Sequence, residues 1–227
     1  VKGPGVPGPN DCVDLGLASG LLWAKCNMGT TEPTELGDYY AWAETSTKKK
    51  YAADYYKHYI WGEYDLKRIK KYNEEDGKTV IDPDDDAARA NLGVGYRIPT
   101  QEDWQELLDN CKWEAETITL PEILDPSQTK CIARWIVTGP NGKSIILPMT
   151  DSFRCDAWID LSDEDTYYTT ANLWPAEGLS DGWKYRKAVA LAWPFLAEKT
   201  SSGSIKKPTF RSVHRPFGVV VRPVFDR

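Results

Sequence analysis

The clearest periodic signal in the chain lies at Trp104, Leu107, Leu108 and Cys111, which recur at i, i+3, i+4 and i+7 and so share one face of a helix. Thr100 precedes that stripe with Asp103 three residues on, a capping box that predicts the helix to begin at Thr100. A shorter helix is predicted just upstream, with Asp82 as its cap, Pro83 at its first position, Ala87, Ala88 and Leu92 as apolar positions and Gly93 as its stop. Elsewhere the apolar residues come in short runs bounded by Gly, Pro and Asn, at 21–24, 39–43, 135–138, 143–147, 188–193 and 217–224. Runs of that length and aromatic or β-branched content read as strands. Gly139-Pro140-Asn141-Gly142 separates two of them, and its Asn-Gly pair predicts a β-hairpin. Cys111, on the apolar helix face, reads as a small core residue, and Trp193, inside a strand run, as a core ring.

Composition narrows what such a set of elements can be. At 227 residues, 41% of them hydrophobic, the chain can bury a substantial core. Residues 1–10 read as a Pro/Gly linker and 11–227 as a single domain with a Tyr/Lys-rich insertion at about 48–78. The 34 acidic against 28 basic side chains give a net charge of -6, which argues against an extended phosphate-binding surface and hence against a nucleic-acid partner. The insertion interleaves Tyr51, Tyr55, Tyr56, Tyr59, Trp61, Tyr64 and Tyr72 with lysines, but Asp54, Glu63, Asp65, Glu74, Glu75 and Asp76 cancel most of that field. Its rings are expected to pack on the domain. No apolar run approaches the roughly 20 residues of a membrane-spanning helix. The linker suggests a module tethered outside the cell after loss of a leader.

The chemistry-bearing residues are sparse. Five cysteines form no Cys-x-x-Cys pair, and with only His58 and His214 no zinc set is expected. The run Asp82, Asp84, Asp85, Asp86 lacks the loop spacing of a calcium site and reads as helix capping. Gly142-Lys143-Ser144 invites a phosphate-loop reading, which fails because Val137 stands where that loop needs glycine. No cofactor and no metal is expected.

Five pieces spread along the chain stand out together. They are Val13-Asp14-Leu15-Gly16-Leu17-Ala18-Ser19-Gly20-Leu21-Leu22-Trp23-Ala24-Lys25-Cys26-Asn27, Gly37-Asp38-Tyr39-Tyr40-Ala41-Trp42-Ala43-Glu44, Asp85-Asp86-Ala87-Ala88, Tyr96-Arg97-Ile98-Pro99-Thr100 leading to Trp104, and Arg215-Pro216-Phe217-Gly218-Val219-Val220-Val221-Arg222-Pro223-Val224. These five pieces, in order over about 210 residues, resemble the major paralogous domain (FISUMP) group of secreted and surface bacterial proteins. The arginine-x-proline-threonine helix start and the closing glycine strand also look like those of formylglycine-generating and sulfatase-modifying proteins. The resemblance implies an α+β, C-type-lectin-like fold: two helices packed on a twisted antiparallel sheet, with a long loop-rich C-terminal half.

A fold of that kind does not choose a function, so the site must. An enzyme of the sulfatase-modifying type would need a late cysteine pair, and no cysteine follows Cys155. No catalytic residue is nominated. Calcium-dependent sugar binding would need Glu-Pro-Asn or Trp-Asn-Asp motifs, which the chain lacks. What remains is a set of Tyr, Trp and Asn residues among turn residues near the C-terminus: Tyr167, Tyr168, Asn172, Trp174, Trp183 and Tyr185, with Arg211 and His214 in a small basic cluster that also holds Arg215. Rings offer apolar faces and the polar groups offer directional bonds. These are the expected ligand-binding residues. The expected function is a non-catalytic surface or secreted module that binds a protein or cell-surface ligand, with calcium-independent glycan binding second. The arginines of the cluster are expected to pair with carboxylates.

Overall fold

The computed structural model describes residues 11–59, 69–119, 130–148, 170–173, 187–194, 200–202 and 204–227. Within them the chain is mixed α and β, with few helices and several small, mostly antiparallel sheets. The strands are β1 (Cys12–Asp14), β2 (Leu22–Ala24), β3 (Tyr39–Tyr40), β4 (Tyr96–Arg97), β5 (Lys112–Thr119), β6 (Lys130–Thr138), β7 (Ser144–Pro148), β8 (Thr170–Leu173), β9 (Lys187–Pro194), β10 (Thr209–His214), β11 (Val219–Val220) and β12 (Val224–Phe225). The helices are α1 (Ala87–Leu92) and α2 (Gln101–Asn110). Strand order is β1-β2-β12-β4 in the first sheet, β10-β9-β8-β11-β3 in the second and β5-β6-β7 in the third. The single sheet expected from sequence is thus three sheets among the described residues, and one contact, β8 with β11, is parallel. Among the same residues no helix is long and apolar enough to cross a membrane.

Helix α2 forms as its sequence dictates. The Thr100 side chain accepts from the Asp103 N–H, the Asp103 carboxylate accepts from the Thr100 N–H at 2.7 Å, and Trp104, Leu107 and Leu108 are buried. Cys111 is buried beside them, and burial pushes its thiol up to about 11, as suits a small core residue. The start of α1 departs from the expected one. Asp82 does not cap it: Asp82 and Asp85 close a turn, Asp85 N–H donating to the Asp82 carbonyl at 2.9 Å. The helix begins after Asp86, whose carboxylate accepts from the Ala88, Arg89 and Ile98 N–H groups. Asp86 wins because a buried carboxylate there satisfies the helix start and the strand entering α2 together, whereas Asp82 pairs with Lys71 and Lys78. The expected hairpin is β6–β7, and its Gly139 leaves no room for a side chain: a Cβ there would stand 2.0 Å from the Leu15 carbonyl oxygen.

The run 217–224, expected as one strand, is split. β11 joins the second sheet and β12 the first, so the chain changes sheets across Val221-Arg222-Pro223. Alternation divides the run between two cores: Val220 packs with Trp23, Trp104 and Trp135, while Val219 and Val221 pack with Trp42, Tyr72 and Tyr96. At the crossing, Arg222 is fully buried. Its Nε donates to Asn27 Oδ1 at 2.8 Å, one terminal nitrogen to the Ala24 and Lys25 carbonyls at 2.9 and 2.7 Å, and the other to the Ile146 carbonyl at 2.7 Å. One side chain therefore joins the strand change to the first sheet and, through β7, to the third. Desolvation pulls the guanidinium down to about 10, so it stays charged at neutral pH.

Replacing Arg222 by Met keeps the bulk but strands four buried acceptors, and is expected to cost about 3–5 kcal/mol of unfolding free energy, measured by urea denaturation. Arg222→Lys should recover only part of that. A loss under about 1 kcal/mol in Arg222→Met would show that those oxygens find other donors.

Candidate functional site

Two layers meet at the site. One is the turn His214-Arg215-Pro216-Phe217, closed by the Phe217 N–H donating to the His214 carbonyl at 3.0 Å, which joins β10 to β11. The other is the segment after β3, folded back on itself through its tyrosines. Tyr51 OH donates to the Tyr39 carbonyl, Tyr56 OH to the Trp42 carbonyl at 2.9 Å, and His58 Nε2 contacts the Ala43 carbonyl at 2.9 Å. A carbonyl only accepts, so Nε2 carries the proton. Ala43 sits at φ 58, an uncommon backbone for a residue with a Cβ. Trp42 N–H donates to the Arg215 carbonyl at 2.9 Å, which docks the two layers.

Tyr72 is the hub beneath them. It is fully buried at φ 63, its ring meeting Trp42 at 4.9 Å and His58 at 5.5 Å edge to face. Its hydroxyl donates to Asp85 Oδ2 at 2.8 Å and accepts from the Asp82 N–H at 2.9 Å, and its carbonyl accepts from Arg215 at 2.8 Å. Arg215 is fully buried with its guanidinium 4.4 Å from the Trp42 ring centre. Asp85 also receives Lys57 and Lys71, each at 2.6 Å. Burial alone would raise this carboxyl, but the bonds from Lys57, Lys71 and Tyr72 outweigh it and hold Asp85 well below the usual carboxylate range. Burial raises the Tyr72 phenol and lowers the His58 imidazole, the latter against an opposing bond to Ala43. At neutral pH the floor is thus an ionised carboxylate saturated with donors beside a neutral imidazole, an arrangement for holding shape and poor for taking up a proton.

Above this floor is a cleft of about 100 Å³. Tyr56, Tyr59 and Ile69 line it from one layer, with Ala53, and His214, Arg215 and Pro216 from the other. Tyr59 and Ile69 pair across an isolated bridge, reinforced by the Lys70 N–H donating to the His58 carbonyl at 2.7 Å, so both ends of the segment 60–68 are fixed at the cleft. His214 ends β10 opposite Lys187, the first residue of β9, which fixes one end of the segment 174–186 beside the same turn.

Of the residues expected from sequence to bind ligand, His214 reaches the cleft, half-buried with its ring 5.4 Å from Phe217. Arg211 lies exposed on β10, three residues away and so on the opposite strand face, which breaks up the expected basic cluster. Among the described residues Arg215 donates to the Tyr72 carbonyl and lies over the Trp42 ring. Asn172 is in β8 opposite Ala192, its side chain outside the described residues. Tyr167, Tyr168, Trp174, Trp183 and Tyr185 lie outside the described residues, as does the Trp193 side chain. Tyr56, Tyr59, Ile69 and Pro216 were not among the expected site residues. The one signal the sequence carries for Tyr59 is its place within the tyrosine-dense stretch.

The acid limb of stability should show two steps. His58 has a lowered folded-state pKa, so its stabilising contribution is complete above its ordinary value of 6.5 and falls as pH drops below it. Asp85, also lowered, loses its contribution only as pH falls below its ordinary 3.8. In urea unfolding across pH, His58→Gln should remove the first step and leave the second, while His214→Ala leaves both. Persistence of the first step in His58→Gln would refute the assignment.

No family model, no curated protein and no solved structure matches this chain.

Proposed function

We propose that this chain is a secreted or surface-exposed bacterial binding module of the FISUMP group, with a C-type-lectin-like fold, that recognises a protein or other cell-surface ligand at the cleft beside His214. The observation that carries the reading is the convergence of anchors. Tyr59 and Ile69 bracket the segment holding Trp61 and Tyr64, and Lys187, opposite His214, closes the segment holding Trp174, Trp183 and Tyr185. The described residues that flank the first segment on both sides and the second on one side thus stand at or beside one small cleft, an economical way to build a recognition face on a fixed frame.

Size favours binding over turnover of a whole metabolite. A volume of about 100 Å³ is well below the ~300–1,000 Å³ of ordinary small-ligand pockets and suits one protruding side chain or one sugar substituent. The resemblance pieces support the same division of labour, since Asn27, Trp42, Asp86, Thr100 and Arg222 all point into cores, caps or clamps. Those residues specify a frame and leave recognition to the segments between them. Glycan binding is the second reading, favoured by the tyrosine walls of the cleft and the half-exposed imidazole.

The test is binding of the purified chain to intact cells and to a glycan array, alongside Tyr59→Ala, His214→Ala and Trp183→Ala. The expected result is cell binding reduced about tenfold or more in each variant, with unfolding free energies within about 1 kcal/mol of the parent. Loss after protease treatment of the cells identifies a protein ligand, and loss after periodate a glycan. Binding indifferent to all three substitutions would refute the cleft as the site.

A further inference from the structure

A second surface, sharing no lining residue with the cleft, is built on the basic stretch before the Ala53–Tyr55 turn. Lys48, Lys49, Lys50 and Tyr55 form an open depression of about 380 Å³, within the ~300–1,000 Å³ of small-ligand sites. Its parts are held in place from below. The Lys48 N–H donates to Tyr51 OH at 3.2 Å, and the Lys48 ammonium donates to the Tyr55 carbonyl at 2.7 Å while pairing with buried Glu44. Glu44 in turn accepts from the Lys57 N–H at 2.6 Å, so both sides of the depression hang on one buried carboxylate.

On that frame Tyr55 is 54% exposed, the most exposed tyrosine among the described residues, and the Lys50 ammonium stands 5.6 Å from its ring centre. Lys49 and Lys50 are exposed, and among the described residues neither forms an ion pair. Among the other lysines of this region, Lys48 is matched by Glu44, Lys57 and Lys71 by Asp85, and Lys78 by Asp82. The surface therefore offers one open ring face and two ammoniums close enough for a single ligand to touch.

We propose that this depression binds an acidic saccharide, its sugar face against Tyr55 and its carboxylate or sulfate between Lys49 and Lys50. An exposed tyrosine gives a flat apolar face to the C–H side of a sugar. Lysine supplies point charges that suit a tetrahedral sulfate or a carboxylate without demanding planar, two-pronged geometry. A nucleic acid fits less well: it needs a track of several phosphate contacts, and here Asp54 and the net charge of -6 close the field around two ammoniums. The site is independent of the His214 cleft in position and in residues.

The experiment is fluorescence polarisation of the full chain with labelled heparin and oligogalacturonate fragments, with dextran as neutral control and an oligothymidylate of matched charge. Binding of at least one acidic saccharide is expected, weakened about fivefold or more in Tyr55→Ala and about tenfold in the double variant Lys49→Gln/Lys50→Gln, and unchanged in His214→Ala. Heparin against oligogalacturonate tells sulfate from carboxylate. Lys49, Lys50 and Tyr55 are exposed and His214 is half-buried, and equal thermal unfolding of parent and variants checks that the fold is kept. No binding of either saccharide overturns the proposal. So does binding that needs the lysines but not Tyr55, or an oligothymidylate affinity equal to that of the saccharides.

Discussion

A guanidinium removed from water is tolerated when its N–H groups find oxygens, and removing it afterwards leaves those oxygens stranded. Arg222 is in that position. It is buried where the closing segment passes from the second sheet to the first, and its described partners are all neutral: the carbonyls of Ala24, Lys25 and Ile146 and the amide of Asn27. A hydrophobic residue there would leave the strand change with nothing to fix its direction. Neighbouring bonds depend on the same geometry. The Met28 N–H donates to the Val221 carbonyl and the Ala24 N–H to the Pro223 carbonyl, while the Met28 carbonyl accepts from Asp38 across Gly37. Gly37, at φ 77, cannot carry a side chain because a Cβ would stand 2.1 Å from the Met28 oxygen. The clamp thus reaches from the entry to the last strand through residues 24–38 to the start of β3.

The cleft belongs to a second tier. Its floor is not clamped by Arg222 but by Tyr72, Asp85 and Arg215, and its upper wall is a run of short elements held by tyrosine hydroxyls on carbonyls. Such a layer opens at lower cost than a core, which suits the binding proposed for its cleft. The same layer carries Tyr55 and the lysines, so one folded-back segment presents two faces with different chemistry, Tyr56 and Tyr59 across from His214 of the other layer, and Tyr55 beside the lysine ammoniums.

Local signals were readable wherever one short stretch decides the outcome. The Thr100–Asp103 box, the apolar stripe of α2 and the hairpin turn at Gly139 each act within a few residues, and each forms as expected. What the sequence concealed is long-range choice. Asp82, Asp85 and Asp86 look equivalent in a row, and only the amide of Ile98 on one side and the lysines on the other assign cap and ion pair. The run 217–224 looks like one strand because valine favours extended backbone in either sheet. Its division at Arg222 depends on acceptors almost 200 residues earlier. His214 stands out in the sequence as part of a basic cluster that the strand faces break up, and it lines the cleft for a different reason, its place at the β10 turn, whereas Tyr59 and Ile69 line it only through a bridge that periodicity does not announce.

The central claim is a hierarchy: a frame locked at Arg222 that carries a separately opening layer, the one that lines the cleft. Native-state hydrogen exchange read residue by residue tests it most directly. The account predicts that the Ala24 and Met28 amides exchange only with global unfolding, while the Lys57, Tyr59 and Lys70 amides exchange through openings at least about 2 kcal/mol cheaper. Exchange of Met28 and Ala24 through a local opening, at or below the free energy found for Lys57 and Tyr59, would contradict it.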